Sequence, residues 1–342
     1  AYRRVVERDD LDVLIHLGGY IYDFVDQDEE VRVPTPYPVE PNDVHEWRAR
    51  HAYYLMDPDL RLARAMHPWI VIWDNHDVDG TADVTYEGSV QAFREWVPMR
   101  ASQTEDDRAY RRLSYGDLLD ILILDVLLHR NTEKVPESEE FSILGEEQWD
   151  WLEKTLTASK ATWRVIGSQK IMGTVRVDPA FRNGSEFFDT KTWDGFPADR
   201  KRVFGLLSAL GTGNNVVVSG DSHISLALDL VDEPALTDPP YDPKTSQASL
   251  GVEILPTSIS RGNFNEQVGD LPELFEYLSD EIMGLNPHHR YLELTKHGYG
   301  ILDVTTERVI AEIWYSSILE PADEEELGTT LEVLSGAQKW TR

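Results

Sequence analysis

The chain has 342 residues, of which 41% are hydrophobic, so it can bury a large core and lacks the composition of a disordered chain. Its formal net charge of −30 argues against a nucleic-acid-binding protein, and it repels phosphate-bearing substrates unless cations at the site reverse the local field. Cysteine is absent, which excludes disulfides and thiolate ligands, and no apolar run approaches the ~20 residues of a transmembrane helix.

Predicted helices and strands alternate through the first two thirds of the chain. Short apolar runs predict buried strands at 12–17, 69–73 and 215–219, and a further strand is predicted at 162–167. A turn at residues 116–117 predicts a hairpin between strands at 110–115 and 118–125. Amphipathic patterns and N-cap residues predict helices at 43–66, 88–99, 145–159 and 197–210. Beyond residue 220 the predicted elements are strands, at 224–231, 250–255, 298–305 and 308–315.

This pattern is typical of a layered α/β sandwich built around a mixed sheet. The sequence contains no internal repeat and no linker that would divide it. We therefore predict one domain over residues 1–320. An acidic C-terminal tail over residues 321–342 is predicted to pack on this domain or to trail from it.

Three polar clusters each follow directly after an apolar strand. They are residues 18–22 (GGYIY), 74–77 (DNHD) and 220–223 (GDSH). In open α/β sheets, ligands bind beyond the carboxyl ends of the strands. We therefore expect the three clusters to converge on one pocket.

Each cluster carries side chains that suit metal or acid–base chemistry. Asp221 and His223 are alternate residues of an extended segment, and both are common metal ligands, although a turn-capping Asp and a core His remain open. The Asn75 amide oxygen can bind a cation, and His76 can serve as a general acid, with capping and packing roles as alternatives. Tyr22 can bind a trivalent metal as phenolate or simply pack against its neighbours.

In their order, the clusters resemble the signature of the calcineurin-like metallophosphoesterases, and more closely that of the PhoD-type alkaline phosphatases. Residues 12–24 (DVLIHLGGYIYDF) resemble a strand leading into the family's Gly-Asp-Tyr-Ile-Tyr motif. Residues 73–77 (WDNHD) resemble its Trp-Asp-Asp-His-Glu block, and residues 215–225 (NVVVSGDSHIS) resemble its final Gly-Asp-x-His block. Further landmarks follow in the expected order at 114–118, 144–149, 193–196, 286–288 and 296–299.

The resemblance implies a four-layer αββα sandwich with mixed sheets, of which the first strand is missing because residues 1–9 already look like the following helix. Residue by residue, it implies that Tyr22 and His223 bind a first metal, iron, and that Asn75 and Asp221 bind a second, often calcium. Asp194 would help to hold a further calcium, and other divalent cations are possible.

The implied reaction is metal-dependent hydrolysis of a phosphomonoester or phosphodiester, in which a metal-bound hydroxide attacks the phosphorus and His76 acts on the leaving-group oxygen. The implied partner is a small phosphate ester, with no nucleic acid and no predicted oligomeric state. The family also implies a secreted or periplasmic enzyme, although no signal peptide is recognisable at the start of this chain.

One departure from the family pattern supports an alternative function. Gly19 stands where the family has the aspartate that bridges both metals, and glycine offers no side-chain ligand. The alternative is therefore a degenerate, metal-poor member with a binding role or little activity. A third hypothesis is another type of hydrolase that uses His76 with Asp74 or Asp77 as an acid–base pair.

Overall fold

The computed structural model describes residues 1–23, 41–78, 83–97, 99, 108–130, 141–181, 184–211, 213–234, 241–318 and 324–341. Its helices are α1 (Tyr2–Val6), α2 (Val44–Tyr54), α3 (Pro58–Met66), α4 (Asp83–Trp96), α5 (Gly145–Ala158), α6 (Pro197–Leu210), α7 (Phe264–Val268) and α8 (Pro272–Leu285). Its strands are β1 (Leu14–His16), β2 (Trp69–Val71), β3 (Arg111–Tyr115), β4 (Leu119–Ile123), β5 (Trp163–Ser168), β6 (Asn215–Ser219), β7 (Ser225–Asp229), β8 (Val252–Leu255), β9 (His289–Glu293), β10 (Gly298–Val304), β11 (Arg308–Tyr315) and β12 (Glu326–Leu334). No helix in these ranges is both long and apolar enough to cross a membrane.

The largest sheet has seven strands in the order β3-β4-β5-β6-β8-β7-β9. Its central strands β4, β5, β6 and β8 are parallel, whereas β3, β7 and β9 pair antiparallel with their neighbours, as a mixed sheet requires. The predicted hairpin is confirmed, because β3 and β4 pair across a turn in which Gly116 adopts a φ of 55°, a left-handed conformation that glycine accepts without strain.

Two smaller sheets accompany the large one. Strands β1 and β2 form a parallel pair, and β10, β11 and β12 form an antiparallel meander. In β11 the buried residues alternate with partly exposed ones, which is the pattern of a strand with one face on a core.

Hydrophobic side chains form two clusters that lie on opposite faces of the large sheet. Leu122 and Ile166 belong to a cluster that includes residues of α5 and α6. Their neighbours Ile121 and Val165 point the other way, into a cluster that includes residues of α2, α3, α4 and both smaller sheets. The layers therefore run helix, sheet, sheet, helix, which is the αββα order that the resemblance implied.

The structure differs from the sequence prediction at several elements. The helix predicted over 43–66 is two helices, because Asp57 is extended (ψ 119°) before Pro58 and caps α3 by accepting a hydrogen bond from the Leu60 N–H. Helix α8 and strand β9 lie in a region where only strands or loops were predicted. Residues 326–334, assigned to the acidic tail, form β12, which pairs with β11 and buries Leu331 and Val333.

Four buried histidines are expected to make stability sensitive to acid. Burial lowers the pKa of His16, His51 and His288 to about 4, and that of His289 well below its ordinary value. Above pH ~6.5 these groups are neutral in both the folded and the unfolded chain. As the pH falls from ~6.5 towards 4, the unfolded chain binds protons that the folded chain does not, so the free energy of unfolding decreases.

His51→Leu is expected to remove one part of this acid sensitivity. Neither ring nitrogen of His51 has a hydrogen-bond partner among the described residues, and the ring packs against Tyr20, Phe93 and Trp96. Between pH 7 and pH 4 the variant should lose up to about 3 kcal/mol less unfolding free energy than the wild type, measured by urea denaturation. His45→Leu, on the exposed side of the same helix, is the control. Equal pH dependence in wild type and His51→Leu would contradict the expectation.

Candidate active site

The first two polar clusters lie against each other just beyond β1 and β2. A Cβ atom at Gly18 would stand 2.4 Å from the Asp74 Cβ, so only glycine allows this close approach. The fully buried Asp77 carboxylate joins the clusters by accepting hydrogen bonds from the N–H groups of Gly19 (2.7 Å), Ile21 (2.9 Å) and Asp74 (2.9 Å). The prediction that these two strand ends meet is confirmed.

The third cluster, after β6, reaches the same place. A Cβ at Gly220 would stand 3.4 Å from the Leu17 Cβ, which brings the ends of β6 and β1 together. Asp221 (φ 72°) and His223 (φ 56°) both adopt the left-handed conformation, which is uncommon for residues with a side chain. Backbone strain of this kind concentrates at functional sites because the surrounding structure must stabilise it.

Tyr22 and His223 form a direct pair across the two clusters. The Tyr22 hydroxyl lies 3.2 Å from His223 Nε2, and His223 Nδ1 lies 3.0 Å from the Gly262 carbonyl oxygen. Because a carbonyl only accepts, Nδ1 carries the proton and Nε2 of the neutral ring accepts from Tyr22. The Arg261 guanidinium carbon lies 4.4 Å from the Tyr22 ring centroid, which adds a positive charge beside the pair.

His76 is oriented by a carboxylate that sequence reasoning did not assign to the site. Its Nδ1 lies 2.7 Å from Asp23 Oδ1, and its ring stacks on Tyr22 with the centroids 4.2 Å apart. Asp23 is itself fixed by Arg50, whose Nε donates to the Asp23 backbone oxygen (3.1 Å). Asp23 and Tyr22 together set the orientation of the His76 ring.

Lys170 lies among the oxygens of the second and third clusters. Its Nζ donates to Asp221 Oδ1 (2.5 Å), Asp74 Oδ2 (3.0 Å) and Asn75 Oδ1 (3.4 Å). No metal-ligand pattern in the sequence points to Lys170, because an ammonium group only donates hydrogen bonds and cannot bind a cation. Lys170 follows β5 by two residues, so the strand-end rule applied to the other clusters also points to it.

The charges of Lys170, Asp74 and Asp221 depend on one another. Burial opposes the ammonium, yet Asp74 and Asp221 together keep the pKa of Lys170 above its ordinary value. Burial also acts to raise the pKa of Asp221, but the Lys170 ammonium outweighs it and the net pKa is lowered. Burial raises the pKa of Asp74 to about 8, because Lys170 only partly offsets it and Asp221 adds repulsion. The group therefore holds one firm ion pair between Lys170 and Asp221.

Asp194 occupies a different environment from the other predicted ligands. It lies in a short 3-10 helix, Trp193–Gly195, where Oδ1 accepts hydrogen bonds from the Thr174 hydroxyl and the Arg200 guanidinium, and Oδ2 accepts from the Val175 N–H (3.0 Å). None of its hydrogen bonds involves Tyr22, Asn75, His76, Asp221 or His223. Burial raises its pKa although Arg200 opposes the change, as expected for a carboxylate inside the fold.

The described residues do not fit the two-metal centre that the resemblance implies. Within the described ranges, no three side chains of His, Asp or Glu are placed to hold a metal ion together. Tyr22 and His223 bond to each other, and Lys170 Nζ lies between the oxygens of Asn75 and Asp221. Gly19 adds no donor where a bridging carboxylate is needed.

Comparison with known proteins decides the family. The PhoD-like phosphatase family model matches residues 1–313. The chain belongs to the PhoD-like phosphatase family. It is 30% identical over 323 residues to alkaline phosphatase D of Bacillus subtilis (strain 168), an alignment that covers 85% of this chain and 52% of the relative. The chain thus spans about half the length of the curated relative that it matches.

Solved structures of related proteins share the fold. A structure of PhoD superposes with a TM-score of 0.82 at 27% identity, covering all of this chain and 67% of that one. A purple acid phosphatase from yellow lupin (Lupinus luteus) seeds superposes with a TM-score of 0.54 at 11% identity, covering 97% of this chain and 48% of that one. The predicted metallophosphoesterase fold is therefore confirmed.

Proposed function

We propose that this PhoD-like chain hydrolyses small phosphate esters at the meeting point of its three polar clusters. The observation that carries the proposal is the convergence of Tyr22, Asn75, His76, Asp221 and His223 from the ends of β1, β2 and β6. Family membership supports phosphoesterase chemistry, and the His76 side chain is 21% exposed. Monoester and diester substrates both suit this chemistry.

His76 is the proposed proton donor to the leaving-group oxygen. When the ring carries two protons, Nδ1–H donates to Asp23, and Nε2–H is the proposed donor to the departing alkoxide. Stacking on Tyr22 and the hydrogen bond to Asp23 together fix the plane of the ring, so the proton is presented in one direction. This role makes Asp23 a positioning residue. It also favours His76–Asp23 over a pairing of His76 with Asp74 or Asp77.

The resemblance alone assigns iron to Tyr22 and His223 and calcium to Asn75 and Asp221, with Asp194 as a further calcium ligand or another divalent cation in their place. Because the described residues do not fit a two-metal centre, we derive no step of the reaction through a metal. Export to a secreted or periplasmic location is likewise proposed from the family alone.

Turnover and metal content test the proposal together. The purified chain is assayed with p-nitrophenyl phosphate and bis(p-nitrophenyl) phosphate as isolated, after EDTA, and with added iron and calcium. We expect hydrolysis of at least one substrate. The preferred ester identifies the substrate class, and the response to EDTA and added metals measures metal dependence. A folded chain that hydrolyses neither ester in any condition would overturn the proposed activity.

The degenerate alternative is a second candidate function, and a specific observation favours it. Gly19 removes one ligand, and Lys170 fills the space among Asp74, Asn75 and Asp221. In that case the fold binds a ligand at this site with little turnover. Inactive, metal-poor protein in the assay above would favour this alternative.

Gly19→Asp distinguishes a missing ligand from a different chemistry. A Cβ at residue 19 would make an ordinary contact of 3.4 Å with the Tyr22 hydroxyl, and its φ of 63° is one that aspartate tolerates better than most residues. If the ligand is what the chain lacks, bound iron measured by mass spectrometry should rise toward one per chain. Gly19→Ala carries a left-handed backbone cost of about 1–2 kcal/mol, at least as large as that of aspartate, without the carboxylate. Equal metal content in both variants would exclude this explanation.

A further inference from the structure

The ammonium of Lys170 has the surroundings of a bound cation. Three oxygens lie within 3.4 Å of Nζ, two from carboxylates and one from an amide. They come from two different strand ends, since Asp74 and Asn75 follow β2 and Asp221 follows β6. Hard cations such as Ca²⁺ and Mn²⁺ prefer this combination of carboxylate and amide oxygens.

Lys170 is held in this position rather than resting there as a mobile surface lysine. Its side chain is 5% exposed, and its backbone N–H and C=O both bond to the Ser168 hydroxyl. The preceding residue, Gln169, donates to the Trp73 backbone oxygen (3.0 Å) and accepts from the Val126 N–H (3.2 Å). These contacts fix the segment after β5 against the segment after β2, and this sets the position of the Lys170 ammonium.

We propose that the Lys170 ammonium is a built-in replacement for a metal cation in the pocket formed by Asp74, Asn75 and Asp221. The lysine neutralises the buried Asp221 carboxylate, as a metal ion would, and its positive charge repels any cation that approaches the same oxygens. The pocket is therefore stable without a metal. This inference concerns cation binding and does not rest on turnover by the chain.

Lys170→Met tests the inference, because it keeps a side chain of similar length and removes the charge. In EDTA the variant leaves the buried Asp221 carboxylate without its cation, so its Tm should fall below that of the wild type. Added MnCl₂ or CaCl₂ should then raise the Tm by several degrees, while the wild type responds little. Calorimetric titration should show Mn²⁺ affinity about tenfold or more above that of the wild type.

Two further variants control for a general loss of stability. Lys154→Met removes an exposed lysine on α5 and should show no metal response. Lys170→Met combined with Asp221→Asn removes one carboxylate as well as the ammonium, so it should lose the gained Mn²⁺ affinity. Should Lys170→Met be unfolded in EDTA, recovery of its circular dichroism spectrum with MnCl₂ supports the inference, and no recovery overturns it.

The inference is overturned if Lys170→Met binds Mn²⁺ and Ca²⁺ no better than the wild type does. It is also overturned if the gained affinity survives the Asp221→Asn change, because the cation would then bind elsewhere. Loss of phosphoesterase turnover affects only the proposed function. If the wild-type chain is inactive and Lys170→Met still gains Mn²⁺ affinity, the proposed activity is rejected and the proposed role of Lys170 stands.

Discussion

Replacing His76 with alanine is expected to lower kcat for phosphate-ester hydrolysis by about 10²- to 10⁴-fold, the usual contribution of a positioned general acid. The loss should be larger for an alkyl phosphate than for p-nitrophenyl phosphate, because the nitrophenolate leaves readily without a proton. Initial rates with both substrates, measured on wild type and variant at one pH, give the two ratios.

His76→Phe is the matched control for this experiment. His76 also stacks on Tyr22, so alanine removes a ring contact as well as a proton donor. Phenylalanine keeps a ring in that place and should be as impaired as alanine if the proton matters. Wild-type rates in His76→Phe would show that the ring contact alone is needed. Equal losses on both substrates would indicate that His76 stabilises phosphate charge instead of protonating the leaving group.

Arg200→Met is expected to lower the free energy of unfolding by about 3–5 kcal/mol, the usual consequence of removing one member of a buried ion pair. The Arg200 and Asp194 side chains are each 1% exposed and bond directly to one another. Loss of Arg200 therefore leaves Asp194 as an uncompensated buried charge. Arg200 also donates to Glu233 Oε1 (2.9 Å), and this contact is lost as well. Urea denaturation followed by tryptophan fluorescence measures the change.

The partly exposed Arg202 provides the comparison, since it lies on the same helix and pairs with a largely exposed Glu146. Arg202→Met should change the unfolding free energy by no more than about 1 kcal/mol, as exposed ion pairs do. A double variant, Arg200→Met with Asp194→Asn, should recover part of the loss because no buried charge remains. Equal effects of Arg200→Met and Arg202→Met would show that the buried pair is unimportant. Additional destabilisation by EDTA in the wild type would support the calcium role proposed for Asp194.

Much of the fold follows from local patterns that a single sequence displays. Strand β6 is a short run with three successive valines, and such apolar runs indicate strands that are buried on both faces. The Gly116 turn and the Pro58 helix start are likewise local, although Pro58 was not used to divide the helix predicted over 43–66. Helix α8 was not predicted, although local signals mark it, since Pro272 lies in its first turn and Phe275 and Ile282 recur on its buried face. Strand β12 was assigned to the tail, and its pairing with β11 shows that it is a strand.

The candidate site also has features that follow from local sequence patterns and features that do not. Because each polar cluster follows an apolar strand, the sequence by itself determined that Tyr22, His76 and Asp221 lie at one edge of the layered sheets. The family pattern in their order determined the class of fold. Gly19 was recognisable as a departure because glycine has no side chain that could bind a metal.

Only the tertiary structure decided which side chains satisfy one another. The pairing of His76 with Asp23, of Tyr22 with His223 and of Lys170 with Asp221 joins residues from separate strand ends. The buried partnership of Asp194 with Arg200 is equally invisible in either residue alone. Ionic and hydrogen-bond contacts act over a few ångströms and depend on side-chain direction, so the order of residues along a chain predicts the strand end but not the atom that a charge will meet.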